Sequence, residues 1–568
     1  MLKLFRDSFL AVVLLVFVLS NLSAAATRRP AWAPNVMIAS ADSHATRAGL
    51  QILEAGGNAV DAACAVAFAL GVSEGYSSGI GGGCFIVLHM ADGREAAIDG
   101  REVAPKRASR LMFVPQNKND RTDLSLYSPL AAGVPGEVAA LDLMVKEFGT
   151  MPFADLIEPA RALADTGFIV DAYYGEVLKD YAERFSRDPG SSAVYLHADG
   201  TPFQVGERFP QKDLAETLRR MQEHGAAEFY TGETANLIAD FMRKSGGVMT
   251  KQDLADYRAV SLDPVRGTYH GYDIISMPPP SSGGIHLIQI LNLLEGYPLS
   301  YLGAGSSESL HLIAEAMNYA FADRAEYLGD PVFTPVPTEA LISKEYADKL
   351  RGKISRSRHT SKPDPGDPWQ FMSGIEHHTT HFCVVDDMGN AVSMTATVNT
   401  PFATGITVPG AGILLNNEMD DFVTQPGKAN FFGLVGKAAN EVEPGKKPLS
   451  SMSPTILLKG GKPYLLAGGA GGPRIITATL LAIVNSLDYG MDIQEAVDFP
   501  RIHQQWMPDR VFVEPEHPFD VRVGLEQRGH TVDVGLARSR VQAIQADTIR
   551  GGWTGAADSR GVGAAIGY

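Results

Sequence analysis

Residues 379–399 read TTHFCVVDDMGNAVSMTATVN. From Thr379 the side chains alternate. Thr379, His381, Cys383 and Val385 share one face; Thr380, Phe382, Val384 and Asp386 share the other, which is the period of a strand. Asp387-Met388-Gly389 is a turn with a glycine free to take positive φ, and AVSMTATVN returns as a second strand. A three-residue loop places Thr397 across from Thr379, with Asn399 two residues further on the same face. A two-residue loop shifts that register by one. Just upstream, residues 355–378 (SRSRHTSKPDPGDPWQFMSGIEHH) are polar, hold three prolines and lack apolar periodicity, so they are expected to be a flexible segment.

A threonine pair opening a strand has an ordinary reading, β-propensity. It also has a chemical one. A threonine hydroxyl is a weak nucleophile until a base takes its proton. At a chain terminus the α-amine, of pKa roughly 7.7–8.0, can be that base. Thr379 would become such a terminus if its own hydroxyl attacked the His378 carbonyl and water released the ester. His377, His378 and His381 offer imidazoles, but no carboxylate or cysteine spacing completes a metal site around them.

Further out, the chain opens MLKLFRDSFLAVVLLVFVLSNLSAAATRRP. Lys3 and Arg6 precede an apolar run, Phe9–Leu19, and Ala24-Ala25-Ala26 offers a small-x-small cleavage point. That is the pattern of a secretory signal peptide over residues 1–26. The run is short of the roughly 20 residues of a membrane anchor. Export is therefore expected, to a periplasm or to the medium, with no membrane span after leader removal. The chain has 568 residues, 45% hydrophobic and 20% charged, an ordinary globular balance that can fill more than one packed layer. Its net charge is -16, which repels phosphate backbones and argues against a nucleic-acid partner. Cys64, Cys84 and Cys383 read as small buried thiols, a Cys64–Cys84 pairing being the alternative.

Residues 44–73 read as helix, glycine break, helix. SSGIGGG leads into the strand Cys84–His89. With no Lys-Ser/Thr and no helix after it, this run reads as tight backbone packing rather than a phosphate loop. Residues 136–225 and 233–258 are mostly helical in pattern, and VSLDPVRGTYHGYDIISM is strand-rich. PPPSSGGIH enters a helix, and SLHLIAEAMNYAFADRAEYL forms another.

Several long stretches together resemble one family. TTHFCVVDDMGNAVSMTATVNTPFATGI, GILLNNEMDDF, KPLSSMSPT, GGAGGPRIITATL and NSLDYGMDIQEAVDFPRIHQQW are similar to the small subunit of the γ-glutamyltranspeptidases (γ-glutamyltransferases). GLQILEAGGNAVDAACA, SSGIGGG, GREVAPKRA, AGVPGEVAAL, PPPSSGGIH and ADRAEYLGDP resemble its large subunit. The likeness runs from about residue 36 to Tyr568. It implies an α/β N-terminal-nucleophile hydrolase fold, a four-layer αββα sandwich. One precursor would be self-cleaved at His378–Thr379 into a large subunit, 27–378, and a small catalytic subunit, 379–568, associated as a heterodimer.

By position, the resemblance makes Thr379 the nucleophile and Thr397 the residue that orients it. Gly471 and Gly472 become the oxyanion donors. Arg101, Ser450 and Ser451 would hold the α-carboxylate of a γ-glutamyl group; Asp421, Asn399 and Glu418 would contact its ammonium side. The substrates implied are glutathione and related γ-glutamyl compounds, with water, amino acids or dipeptides as acceptors. No cofactor and no metal is implied. Two departures stand out: Gly75-Tyr76 where relatives often have Pro-His, and Phe432 in the lid where tyrosine is common. Phe432 keeps the aromatic cover and loses a hydroxyl, so a less tightly latched lid is expected. Two rival readings share the sequence: a cephalosporin (glutaryl) acylase of the same architecture, and an uncleaved binding protein. Asp421 and Glu418 weigh against the first, since a glutaryl group brings no cation to pair them.

Overall fold

The computed structural model describes residues 28–117, 120–368, 381–425, 429–434, 436–535 and 539–568. The leader 1–26, Thr379 and Thr380 lie outside the described residues. Two seven-stranded antiparallel sheets form the centre. The first contains β1 (Gly83–His89), β2 (Glu95–Gly100), β3 (Phe382–Val385) and β4 (Ala391–Thr397). Its order is 564–567, 37–40, β3, β4, β1, β2, 260–262. The second contains β5 (Lys462–Ala470) between 540–546 and 455–459. Each sheet thus mixes strands from both sides of residue 379.

Three hydrophobic cores make the layers. In β3, Phe382 and Val384 join one core while Cys383 and Val385 join another. In β1, Cys84, Ile86 and Leu88 face the first and Phe85 and Val87 the second. This is the period-2 alternation of a strand buried on both faces. The first core also takes up α1 (Ser43–Glu54) and α2 (Ala59–Ser73). The second lies between the sheets, where Ile275, Ile456, Leu466 and Ile544 meet the first sheet. A third packs α3 (Gly283–Leu294), α4 (Ser307–Tyr327) and α5 (Arg474–Leu487) on the outer face of the second sheet. Helix, sheet, sheet, helix is the αββα sandwich. Each buried aliphatic or aromatic side chain in it contributes about 1.5–3 kcal/mol.

The glycine break between α1 and α2 is real: Gly56 takes φ 91°, and Asn58 with Asp61 forms a capping box that starts α2. α2 is buried on nearly every side, which its small alanines allow. The three cysteines are free and buried, and no Cys64–Cys84 bridge forms. Burial pushes all three thiols well above their ordinary range.

The described part of the segment expected to be flexible, 355–368, is hydrogen-bonded to the rest of the fold. Asn318 donates to Thr360 O (2.9 Å), Gly366 N–H to Asp323 Oδ1 (2.7 Å), and Trp506 Nε1 to Pro363 O (3.1 Å). These are polar bonds to α4 and to residues after 500.

Candidate active site

His381 is the first described residue after Thr379. Its ring is buried, with Nδ1 3.2 Å from Thr395 Oγ1 and Nε2 2.9 Å from Cys383 Sγ. Burial pushes its pKa down to about 3, so the ring is neutral. A Cβ on Gly468 of β5 would collide with it, which is why the facing strand carries glycine there. Phe382 pairs with Met394 and Val385 with Ala391, the register expected from the three-residue loop. Thr397 ends β4, fully buried and paired with Gly83. Its Oγ1 accepts from Asn399 N–H at 2.7 Å. Asn399 sits at φ 82° and donates from Nδ2 to Asn417 O at 2.9 Å. The run Gly81-Gly82-Gly83 is tight packing, as its sequence reads: a Cβ on Gly82 would overlap the Thr397 carbonyl.

Arg101 follows β2 directly. Asp99 accepts its N–H at 2.9 Å and Tyr257 OH donates to its carbonyl at 2.7 Å. The guanidinium is fully buried. Nη1 donates to Glu418, Nη2 to Asp421 Oδ2 at 2.8 Å, and Nε to Pro448 O at 3.3 Å. Burial pulls Arg101 down, but Glu418, Glu102 and Asp421 hold it above its usual range. The carboxylates are raised as well, with burial as the main cause. Burial pushes Asp421 up to about 7, helped by Glu418 and opposed by Arg101. Burial also raises Glu418, against the pull of Arg101. Glu418 and Asp421 come from one 3₁₀ turn, Glu418–Asp421, which presents both to the same cation.

Ser450 and Ser451 are buried, and neither hydroxyl has a hydrogen-bond partner among the described residues. Buried hydroxyls without partners are costly, and a polar ligand would satisfy them. Their segment is clamped by PPPSSGGIH: Ser282 Oγ donates to Ser450 O at 2.6 Å, and Ser281 Oγ to Met452 O. Gly471 and Gly472 take φ 131° and 60° between β5 and α5. That puts their backbone at the positive end of a helix. The Phe432 ring lies on Gly472, where a Cβ would strike it. A cavity of about 10 Å³ is lined by Asn399, Asp421, Phe432, Ser451, Gly472 and Pro473, among others. On the other side of Phe432 a cleft of about 760 Å³ opens between Arg474, His503, Gln505 and Phe512. Of the lid, 426–428 and 435 lie outside the described residues. Asn430 Nδ2 donates to Asp421 Oδ1 (3.3 Å), Phe431 N–H to Asp420 Oδ2 (2.9 Å), and Gln505 Nε2 to Phe432 O (3.3 Å).

The structure thus brings together Arg101, Thr397, Asn399, Glu418, Asp421, Phe432, Ser450, Ser451, Gly471 and Gly472. Sequence reasoning missed three neighbours. Glu102 is fully buried beside Arg101, with neither carboxylate oxygen hydrogen-bonded among the described residues, and burial pushes it up to about 7. Arg324 donates to Ser282 Oγ (3.0 Å) and Ser450 O (3.3 Å) and lies by Asp421. Asn430 ties the lid to Asp421. Glu102 and Arg324 sit inside GREVAPKRA and ADRAEYLGDP, so the signal was their place in those motifs.

Comparison with known proteins places the chain in a family. The family described as Gamma-glutamyltranspeptidase matches residues 45–568. A glutathione hydrolase proenzyme of Escherichia coli (strain K12) is 45% identical over 535 residues, covering 94% of this chain and 92% of that protein. The cephalosporin acylase of Bacillus halodurans has a similar structure: TM-score 0.85, 29% identity, covering 96% of this chain and 98% of the other. The γ-glutamyltranspeptidase of Helicobacter pylori is 44% identical with TM-score 0.55, covering 59% of this chain and 94% of that one. On the extent of the family match and the identity to the Escherichia coli protein, this chain belongs to the gamma-glutamyltranspeptidase family.

Proposed function

We propose that the chain is an exported γ-glutamyltransferase with glutathione hydrolase activity, self-cleaved between His378 and Thr379. The observation that carries this is the buried charge cluster. A γ-glutamyl group bears a carboxylate and an ammonium on one carbon. Arg101 offers a fork for the carboxylate, and the unpartnered Ser450 and Ser451 hydroxyls add donors. Asp421 and Glu418 offer negative charge for the ammonium, with Asn399 beside them. Such a zwitterion exchanges the Arg101–Asp421 pair for two new ones, Arg101 with its carboxylate and Asp421 with its ammonium.

In this reading Thr379 Oγ attacks the γ-amide carbon while its α-amine takes the hydroxyl proton. Thr397 orients the hydroxyl. The oxyanion of the tetrahedral intermediate is stabilised by the Gly471 and Gly472 N–H groups. The C–N bond breaks, and the leaving amine takes the proton from the Thr379 ammonium. The γ-glutamyl ester then passes to water, giving glutamate, or to an amino acid or dipeptide, giving a new amide. The chemistry uses no cofactor. The two fragments stay associated as a heterodimer, since each sheet takes strands from both. The leader directs the chain to the periplasm; among the described residues no helix is long and apolar enough to cross a membrane.

The test is a pair of chromogenic anilides, γ-glutamyl and glutaryl, which differ only in the α-ammonium. The proposal expects the γ-glutamyl anilide to be turned over at least about 100-fold better, the weight of one buried ion pair of about 3 kcal/mol. Equal or reversed preference would favour the acylase reading.

A further inference from the structure

Away from this site, polar side chains meet where α4 passes beneath residues 355–361 and the turn at Arg528–His530. His311 and Glu315 stand four residues apart on α4, so both leave the same face of the helix. His530 approaches from the opposite side. One nitrogen of each histidine and one oxygen of Glu315 all lie within 4.8 Å of one another. His311 and Glu315 are fully buried and His530 is 4% exposed.

Hydrogen bonding sets the protons. His311 Nε2 is 2.7 Å from the Ser355 carbonyl oxygen, which can only accept. Nε2 therefore carries the hydrogen, and Nδ1 presents a lone pair. That lone pair faces His530 Nε2 at 2.7 Å. If His530 Nε2 donates to it, His530 Nδ1 is left as a buried lone pair, and that atom has no partner among the described residues. The pair therefore holds one more lone pair than it has protons to satisfy. The carboxylate is fixed as well. Glu315 Oε1 accepts from His359 Nδ1 (2.6 Å) and Oε2 from Thr360 N–H (3.1 Å), which leaves a lone pair on each oxygen. His359 Nε2 reaches Asp509 Oδ1 at 3.0 Å. A histidine turning its N–H to a carbonyl, beside a carboxylate locked by hydrogen bonds, is the outer shell of a metal ligand set.

We infer that His311, Glu315 and His530 form a site for a divalent metal of the zinc class, bound by two imidazoles and one carboxylate, with water in the fourth position. Ligands of one tetrahedral Zn²⁺ at about 2.0–2.2 Å stand about 3.3–3.6 Å apart, so a group whose atoms lie within 4.8 Å closes with side-chain shifts of up to about an ångström. His311 and Glu315 precede residue 379 and His530 follows it. The ion would bridge the two parts of the chain, with Ser355 and Thr360 bound against its ligands. This inference rests on neither the transferase reading nor self-cleavage.

The experiment is a titration of untagged, chelator-stripped full-length protein with Co²⁺ alone, read by visible d–d absorption. One Co²⁺ per chain with the intensity of a four-coordinate site is expected, and Zn²⁺ should displace it. His530→Gln and His311→Gln should each weaken Co²⁺ by at least about 100-fold. No saturable signal at one equivalent in the unsubstituted protein overturns the proposal, and that arm does not depend on the variants folding. A signal unchanged in both variants overturns it equally.

Discussion

Arg101 is one cation among three buried carboxylates, Glu102, Glu418 and Asp421. The balance is fragile, so single changes should be felt in binding. Asp421→Asn removes the charge assigned to the ammonium, and we expect kcat/KM for a γ-glutamyl anilide to fall about 100-fold, mostly through KM. Arg101→Lys keeps the charge but loses the fork, and a similar fall is expected. The pH dependence follows from the same burial. Asp421 is pushed up to about 7, and only its ionised form pairs with an ammonium. KM should therefore improve as pH rises through about 7, and in Asp421→Asn that improvement should shrink. A pH–KM profile identical in both proteins would contradict the assignment. Phe432 lies between the small inner cavity and the larger outer cleft. Phe432→Tyr adds one hydroxyl to that cover, and the ratio of hydrolysis to transfer should change. An unchanged ratio would remove Phe432 as a determinant of acceptor choice.

At the scale of elements, the hairpin β3–β4 was legible because alternation and a single glycine turn fix its register, and Thr397 and Asn399 follow from it. The glycines of SSGIGGG were legible as close packing. Gly82→Ala would drive a methyl into the Thr397 carbonyl, with a cost expected at about 3 kcal/mol in chemical denaturation. A cost below about 1 kcal/mol would mean that β1 and β4 slide apart freely. What the residues alone did not give was the meeting of Arg101, Asp421, Ser451 and Gly472, which come from four distant segments. Only the family resemblance placed them together. Glu102 and Arg324 escaped because a buried charge has no periodic signature. The contacts of segment 355–368 were not legible for a related reason: polar anchoring leaves no apolar pattern to read.

Across the whole molecule, the strand orders interleave residues before and after 379 in both sheets. β3 and β4 lie between 37–40 and β1, and β5 lies in the same sheet as 272–276. A break at His378–Thr379 would leave three shared cores in place, so the fragments should stay together in native solution. The central claim is that this break is self-made and that it creates the nucleophile. The measurement that tests it most directly is the intact mass of the purified protein beside a Thr379→Ala variant. The account predicts two fragments in the unsubstituted protein, the smaller beginning at Thr379, and one uncleaved chain without γ-glutamyl turnover in the variant. A single full-length chain in both, or a variant that still cleaves and turns over substrate, would contradict it.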